Sequence, residues 1–206
     1  MTKTVAGQGK QPTSKRLAMA ITEACSPAVV VLVLPAAVGW PATGRHLAAT
    51  VGYWLVVAVF SGALPMALLV VGARRGRWDG HHVRNRDGRL VPMLACLVST
   101  AAGLAILVLA EAPRALLAMN LAMIVVLAVC IVITGWWKIS LHTTVFSSAV
   151  AMLAVMYGPV ALLGVAVLAA VGWSRVALAD HTVSQVIAGA LVGPLAGAAV
   201  VLPMLH

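Results

Sequence analysis

Charged residues in this chain fall almost entirely between long apolar runs, and each run is close to the length a helix needs to cross a bilayer. About 20 residues at a rise of 1.5 Å span the roughly 30 Å hydrocarbon core. Counted this way, the sequence predicts seven helices, over residues 17–40 (interrupted only by Glu23), 47–71, 90–110, 115–134, 140–157, 159–179 and 183–205. Glu111, Ala112, Pro113 and Arg114 predict a tight helical hairpin, and Gly158 with Pro159 divides the two shorter runs after it. The expected fold is an all-α polytopic transmembrane helix bundle of six to seven spans. Residues 1–16 form a basic cytoplasmic tail in this reading, and residues 17–205 form one membrane domain.

Composition narrows the class. Hydrophobic residues make up 62% of the 206 and charged residues 9%, against about 25% charged in a soluble domain. A soluble globule, a disordered chain, a disulfide scaffold and a freestanding nucleic-acid module are all excluded by that balance. The net charge of +9 therefore concerns the membrane surface rather than nucleic acid. Twelve of the fourteen Lys and Arg residues lie on the N-terminal side of the seven runs, and only Arg45 and Arg114 lie opposite. Cytoplasmic loops are enriched in Lys and Arg, so the N-terminus is predicted to face the cytoplasm of a cell-membrane protein. Setting aside Arg84, Arg86, Arg89, Lys138 and Arg175 as candidates for chemistry still leaves seven against two. The first run is 24 residues long with no small-residue cleavage site, so it is read as a retained span. Cys25, Cys96 and Cys130 sit inside apolar runs without the spacing of a zinc or redox motif.

Three loops and their helix ends share the basic side, and they hold most of the polar chemistry. The first carries His81, His82, Arg84, Arg86 and Arg89; the second Lys138, Ser140 and His142; the third Ser174, Arg175, Asp180 and His181. Arg and Lys bind phosphate oxygens, Ser hydroxyls and helix-start N–H groups add donors, and two histidines supply a nucleophile and a general acid. Five carboxylates in the whole chain are too few for a two-magnesium cage, so no metal and no cofactor is expected.

These residues resemble the type 2 phosphatidic acid phosphatase superfamily, the lipid phosphate phosphatases, whose three motifs are K-x6-R-P, P-S-G-H and S-R-x5-H-x3-D. Ser174, Arg175 and His181 match the third. Ser140 and His142 keep half of the second, while Ile139 and Leu141 replace its Pro and Gly. Arg89 matches the first, with His82 at its Lys position and Leu90 at its Pro position, so Arg84 or Arg86 takes over the lysine's work. The motif region covers residues 74–205, and the 31 residues between His142 and Ser174 allow one helical hairpin returning to the same face. The resemblance implies His181 as the nucleophile forming a phosphohistidine, His142 as general acid, and Arg89, Ser140, Ser174 and Arg175 as phosphate ligands. Lys138 stands beside them without a motif position. The chief departure is Gln185 in place of the motif Asp: one turn beyond His181, it can orient the imidazole but cannot stabilise its cation as a carboxylate would, a lack that Asp180 or Asp87 is placed to make good.

The expected activity is hydrolysis of a lipid phosphate or polyprenyl (di)phosphate at the cytoplasmic surface. Prenyl-diphosphate transfer or cyclisation on the same fold, and non-catalytic binding of anionic lipid, are the alternatives. Elsewhere, Arg74, Arg75 and Arg77 read as topology anchors, His81 and His82 as solvated or headgroup-facing, and Trp136, Trp137 and Trp173 as interfacial aromatics. Glu23, near the end of the first run, either snorkels or meets a basic-loop arginine. Gly189, Gly193 and Gly197 make a small-residue face for close helix packing, within the chain or between copies in a homo-oligomer.

Overall fold

In lipid, a backbone must satisfy its own hydrogen bonds, which an apolar sequence achieves by becoming helical. A computed structural model describes residues 13–76 and 90–205, and all regular structure among the described residues is helical. The helices are α1 (Thr13–Ala24), α2 (Pro27–Ala42), α3 (Leu47–Arg74), α4 (Leu90–Leu109), α5 (Arg114–Thr134), α6 (Leu141–Tyr157), α7 (Gly164–Ala177) and α8 (Val183–Leu205). By length and apolarity, α3, α4, α5, α8 and the run Leu141–Ala177 each suffice to cross a membrane, as does the bent pair α1 and α2 taken together. The molecule is a multi-pass helical bundle.

The first apolar run is two helices rather than one. α1 and α2 meet at 44° because Pro27 starts a new helix and Ser26 caps it, its Oγ accepting the Val29 N–H at 3.4 Å. α1 also begins at Thr13, four residues inside the segment expected to be a tail, since hydropathy marks where lipid begins and not where a helix begins. The second run is bent more subtly. Residues Ala58–Ala63 of α3 form a π-helical turn, and the Ser99 hydroxyl of α4 donates to the Phe60 carbonyl within it.

α6 and α7 form a hairpin. Gly158, at φ +75°, makes the turn that an L side chain would resist, and a short 3₁₀ segment, Gly158–Leu163, follows. A Cβ on Gly164 would stand 2.7 Å from Val150 of α6, and one on Gly172 4.0 Å from Thr143, so α7 runs back along α6 and returns the chain to its starting face. α8 then packs against α6 through Gly189, Gly193 and Gly197. A side chain on Gly189 would strike Thr143, Thr144 and the Ser140 carbonyl, and one on Gly197 would stand 2.7 Å from Ser148. The glycine face expected from the sequence is therefore occupied by α6. The main apolar core gathers Leu34, Val38, Val57, Leu107, Leu116, Met119 and Met152 from α2 to α6 with Val201 of α8. A smaller one, Met93, Cys130 and Ile139, lies beneath the starts of α6 and α8.

Candidate active site

The candidate site is assembled where α6 begins, α7 ends and α8 begins. The connector from α5 ends on Ser140, which precedes α6 and donates its N–H to the Gln185 carbonyl of α8 at 3.3 Å. Lys138, two residues earlier, donates from Nζ to the Asp180 carbonyl at 2.6 Å. These two bonds tie the second polar cluster of the sequence to the third. The Ser140 carbonyl accepts from the Thr143 and Thr144 hydroxyls at 3.1 and 2.9 Å, yet the Ser140 hydroxyl is fully buried with no hydrogen-bond partner among the described residues. Burying such a group without a partner costs about 1–3 kcal/mol, and an anionic oxygen arriving there would recover it. His142 is half-buried on the first turn of α6.

α7 ends in a Schellman turn. The Asp180 N–H donates to the Arg175 carbonyl at 3.1 Å and the Ala179 N–H to the Val176 carbonyl at 2.9 Å, with Ala179 itself at φ +56°, a conformation usually given to glycine. The turn places Asp180 back over Arg175, whose Nη2 meets Asp180 Oδ2 at 2.9 Å. Arg175 is only 9% exposed, and the carboxylate compensates its buried charge. Its Nη1 donates to Thr22 Oγ1 of α1 at 3.5 Å. Ser174 gives its one hydroxyl proton to the Val171 carbonyl at 2.7 Å, so Thr22 is the donor in the 3.0 Å contact between the two hydroxyls. A directed chain runs Arg175, Thr22, Ser174, Val171.

His181 follows the turn, 8% exposed, its N–H donating to the Arg175 carbonyl at 3.2 Å. Its ring Nδ1 lies 3.1 Å from Gln185 Oε1, which also accepts the Thr182 N–H at 3.2 Å. That second bond fixes the amide orientation, because only the oxygen can accept. Oε1 carries no hydrogen, so Nδ1 is the donor in the His181 contact. Asp180, considered from the sequence as a substitute for the motif carboxylate, is directed at Arg175 instead.

The structure thus brings together Lys138, Ser140, Ser174, Arg175, Asp180, His181 and Gln185. Arg84, Arg86, Arg89, His81, His82 and Asp87 lie outside the described residues. Thr22 was not singled out from the sequence, and nothing marks it there: a lone Thr in an apolar helix is ordinary, and only the packing of α1 on α7 brings it to Arg175. Thr182 was likewise missed, although a Thr three residues before a Gln at a helix start is the signal of a capping box. A histidine whose Nδ1 is held by Gln185, on the turn that carries an ion-paired guanidinium and receives the Lys138 ammonium, is a set of groups that chemistry at an electrophilic phosphorus can use. No protein-family model matches the chain, and no curated protein or solved structure matches it at a significant level.

Proposed function

We propose that the protein is a membrane-embedded phosphatase that removes phosphate from a lipid phosphate or polyprenyl (di)phosphate without a metal. The observation that carries the reading is the joining of Lys138 and Ser140 on one segment to Arg175, Asp180, His181 and Gln185 on another, by the hydrogen bonds from Lys138 Nζ to Asp180 and from the Ser140 N–H to Gln185. In the proposed mechanism, His181 Nε2 attacks phosphorus and its Nδ1–H stays on Gln185. Arg175, Lys138 and the Ser140 hydroxyl neutralise and bind the equatorial oxygens, and His142 protonates the departing lipid oxygen. Water then displaces His181 from the phosphohistidine, with His142 taking the proton back. Metal independence rests on the scarcity of carboxylates in the sequence.

Seven crossings, with α6 and α7 counted separately and α1 with α2 as one, put the N-terminus and this site on the same face, which the distribution of Lys and Arg assigns to the cytoplasm of the cell membrane. The test is phosphate release from a panel of lipid phosphates by the purified chain in detergent. Release should persist in chelator and vanish in His181→Ala, with Arg175→Ala nearly as damaging. Activity that requires magnesium, or that survives His181→Ala, refutes the reading.

A further inference from the structure

Two cations of the candidate site, Arg175 and Lys138, are engaged by one residue. Asp180 Oδ2 accepts from Arg175 Nη2 at 2.9 Å, and the Asp180 carbonyl accepts from Lys138 Nζ at 2.6 Å. The backbone sets this up. The Asp180 and His181 N–H groups both donate to the Arg175 carbonyl, at 3.1 and 3.2 Å, so the turn after α7 folds back onto Arg175. The Asp180 side chain is 23% exposed and that of Arg175 10%, so the carboxylate is the more accessible member of the pair.

A carboxylate so placed offers Arg175 what a phosphoryl group would offer, an anionic oxygen on a terminal nitrogen. A tetrahedral dianion takes an arginine best through two parallel N–H bonds. Every two-nitrogen edge of a guanidinium includes a terminal nitrogen, and both terminal nitrogens of Arg175 are engaged, Nη2 by Asp180 and Nη1 by Thr22 at 3.5 Å. The Thr22 contact is at the limit of a hydrogen bond and yields readily. The carboxylate does not yield so readily, and left on the same guanidinium as the dianion it repels it. Rotation of the Asp180 side chain is enough to free Arg175, because the Lys138 bond and the two N–H bonds to the Arg175 carbonyl involve only the backbone of the turn. The buried guanidinium keeps an anion throughout, since one replaces the other.

We infer that Asp180 is a built-in competitor for the phosphoryl group: its carboxylate occupies Arg175 while the site is empty and leaves it when phosphoryl oxygens bind. The inference rests on the proposed function for the chemistry of the ligand. It adds a control on affinity, because a lipid headgroup and the inorganic phosphate released from it must both displace the same carboxylate.

The experiment measures binding of inorganic phosphate and of dioleoyl phosphatidate to the full chain in detergent, by calorimetry, for the parent, Asp180→Asn, Arg175→Met and the double variant. Asp180→Asn keeps the side-chain shape and removes the charge. It should bind at least one of the two ligands about ten-fold or more tightly than the parent does. That ligand should also raise its thermal transition more than the parent's. In the Arg175→Met background the same substitution should give no gain. A gain for inorganic phosphate alone assigns the exchange to the released product, a gain for phosphatidate alone assigns it to the headgroup, and either supports the inference. No gain for either ligand, or a gain that survives Arg175→Met, overturns it. A measurement on the unsubstituted chain decides the matter if Asp180→Asn does not fold. Carbodiimide-driven amide coupling at Asp180 should accelerate several-fold in sulfate, a tetrahedral dianion that the reagent does not activate, relative to chloride of equal ionic strength. Unchanged or slower coupling overturns the inference. A chain that shows the exchange yet hydrolyses no lipid phosphate refutes the phosphatase reading and leaves the role of Asp180 standing; hydrolysis with affinities that Asp180→Asn does not change does the reverse.

Discussion

Replacing Gln185 by Leu removes the carboxamide, with its Oε1 and its NH2, and leaves a shorter, apolar side chain on α8. That oxygen accepts two hydrogen bonds, from His181 Nδ1 at 3.1 Å and from the Thr182 N–H at 3.2 Å. Thr182 is exposed, so water takes over its bond at little cost. His181 is 8% exposed, and the loss there is the net worth of one hydrogen bond, about 1–1.4 kcal/mol, together with the bias toward the Nδ1–H tautomer. A barrier raised by about 1.4 kcal/mol slows turnover roughly ten-fold. The assay is phosphate release under single-turnover conditions, which isolates the attack on phosphorus from product release. Gln185→Glu keeps the reach and places a charge beside the ring, which stabilises the cation that develops as Nε2 attacks phosphorus and should match or exceed the parent rate. Gln185→Asp is one methylene shorter and gives up the contact, so it should behave more like Leu. A Leu variant as fast as the parent refutes the assignment of Gln185 as the group that orients the nucleophile.

Three further outcomes follow from other parts of the bundle. Gly193→Ala drives a methyl group into Ser147 and the backbone of Thr144, so the α6/α8 seam must open; thermal unfolding in detergent should show a loss of about 1–3 kcal/mol, while Gly52→Ala, which meets nothing within 4 Å, should show none. Ala179→Gly relieves the left-handed strain at φ +56° and should stabilise by roughly 1 kcal/mol in the same measurement, with turnover unchanged; a lower melting temperature would contradict that strain. A cysteine introduced at Arg45 should react with an impermeant thiol reagent from outside intact cells, and one at Arg75 only after permeabilisation; the reverse pattern inverts the proposed topology.

Much of the architecture was legible because polar punctuation and helix ends coincide. Glu111, Pro113 and Arg114 bound α4 and α5 to within a residue of the hydropathy limits, and Gly158 marks the α6/α7 turn through a backbone angle that only glycine adopts freely. The break at Ser26 and Pro27 carries an equally plain cap signal, but a count of apolar residues is blind to it, since serine and proline interrupt helices without being charged. The π turn at Ala58–Ala63 has no signal of its own: its residues would form an α-helix, and the partner of the Phe60 carbonyl, Ser99, is 39 positions away. At the site, spacing was enough to set Gln185 one turn from His181. It was not enough to direct Asp180 toward Arg175, because that depends on a left-handed residue at Ala179, or to find Thr22, because that depends on how two distant helices cross.

The π turn has a consequence for how this chain tolerates changes in length. A π turn closes its hydrogen bonds over five residues where an α turn uses four, so it absorbs one residue more than the α-helical ladder needs. Deleting a single residue between Ala58 and Ala63 would let α3 close as an unbroken α-helix, and because the π turn already holds that extra residue without turning its flanks, Leu64 to Arg74 would keep their faces. Pro65 and Gly72 would stay buried, at the cost of the freed Phe60 carbonyl that Ser99 now meets. An insertion at the same place has no such outlet, since the slack is already used, and it would turn everything after it by about 100°. The middle of α3 should thus accept the loss of one residue far better than the gain of one.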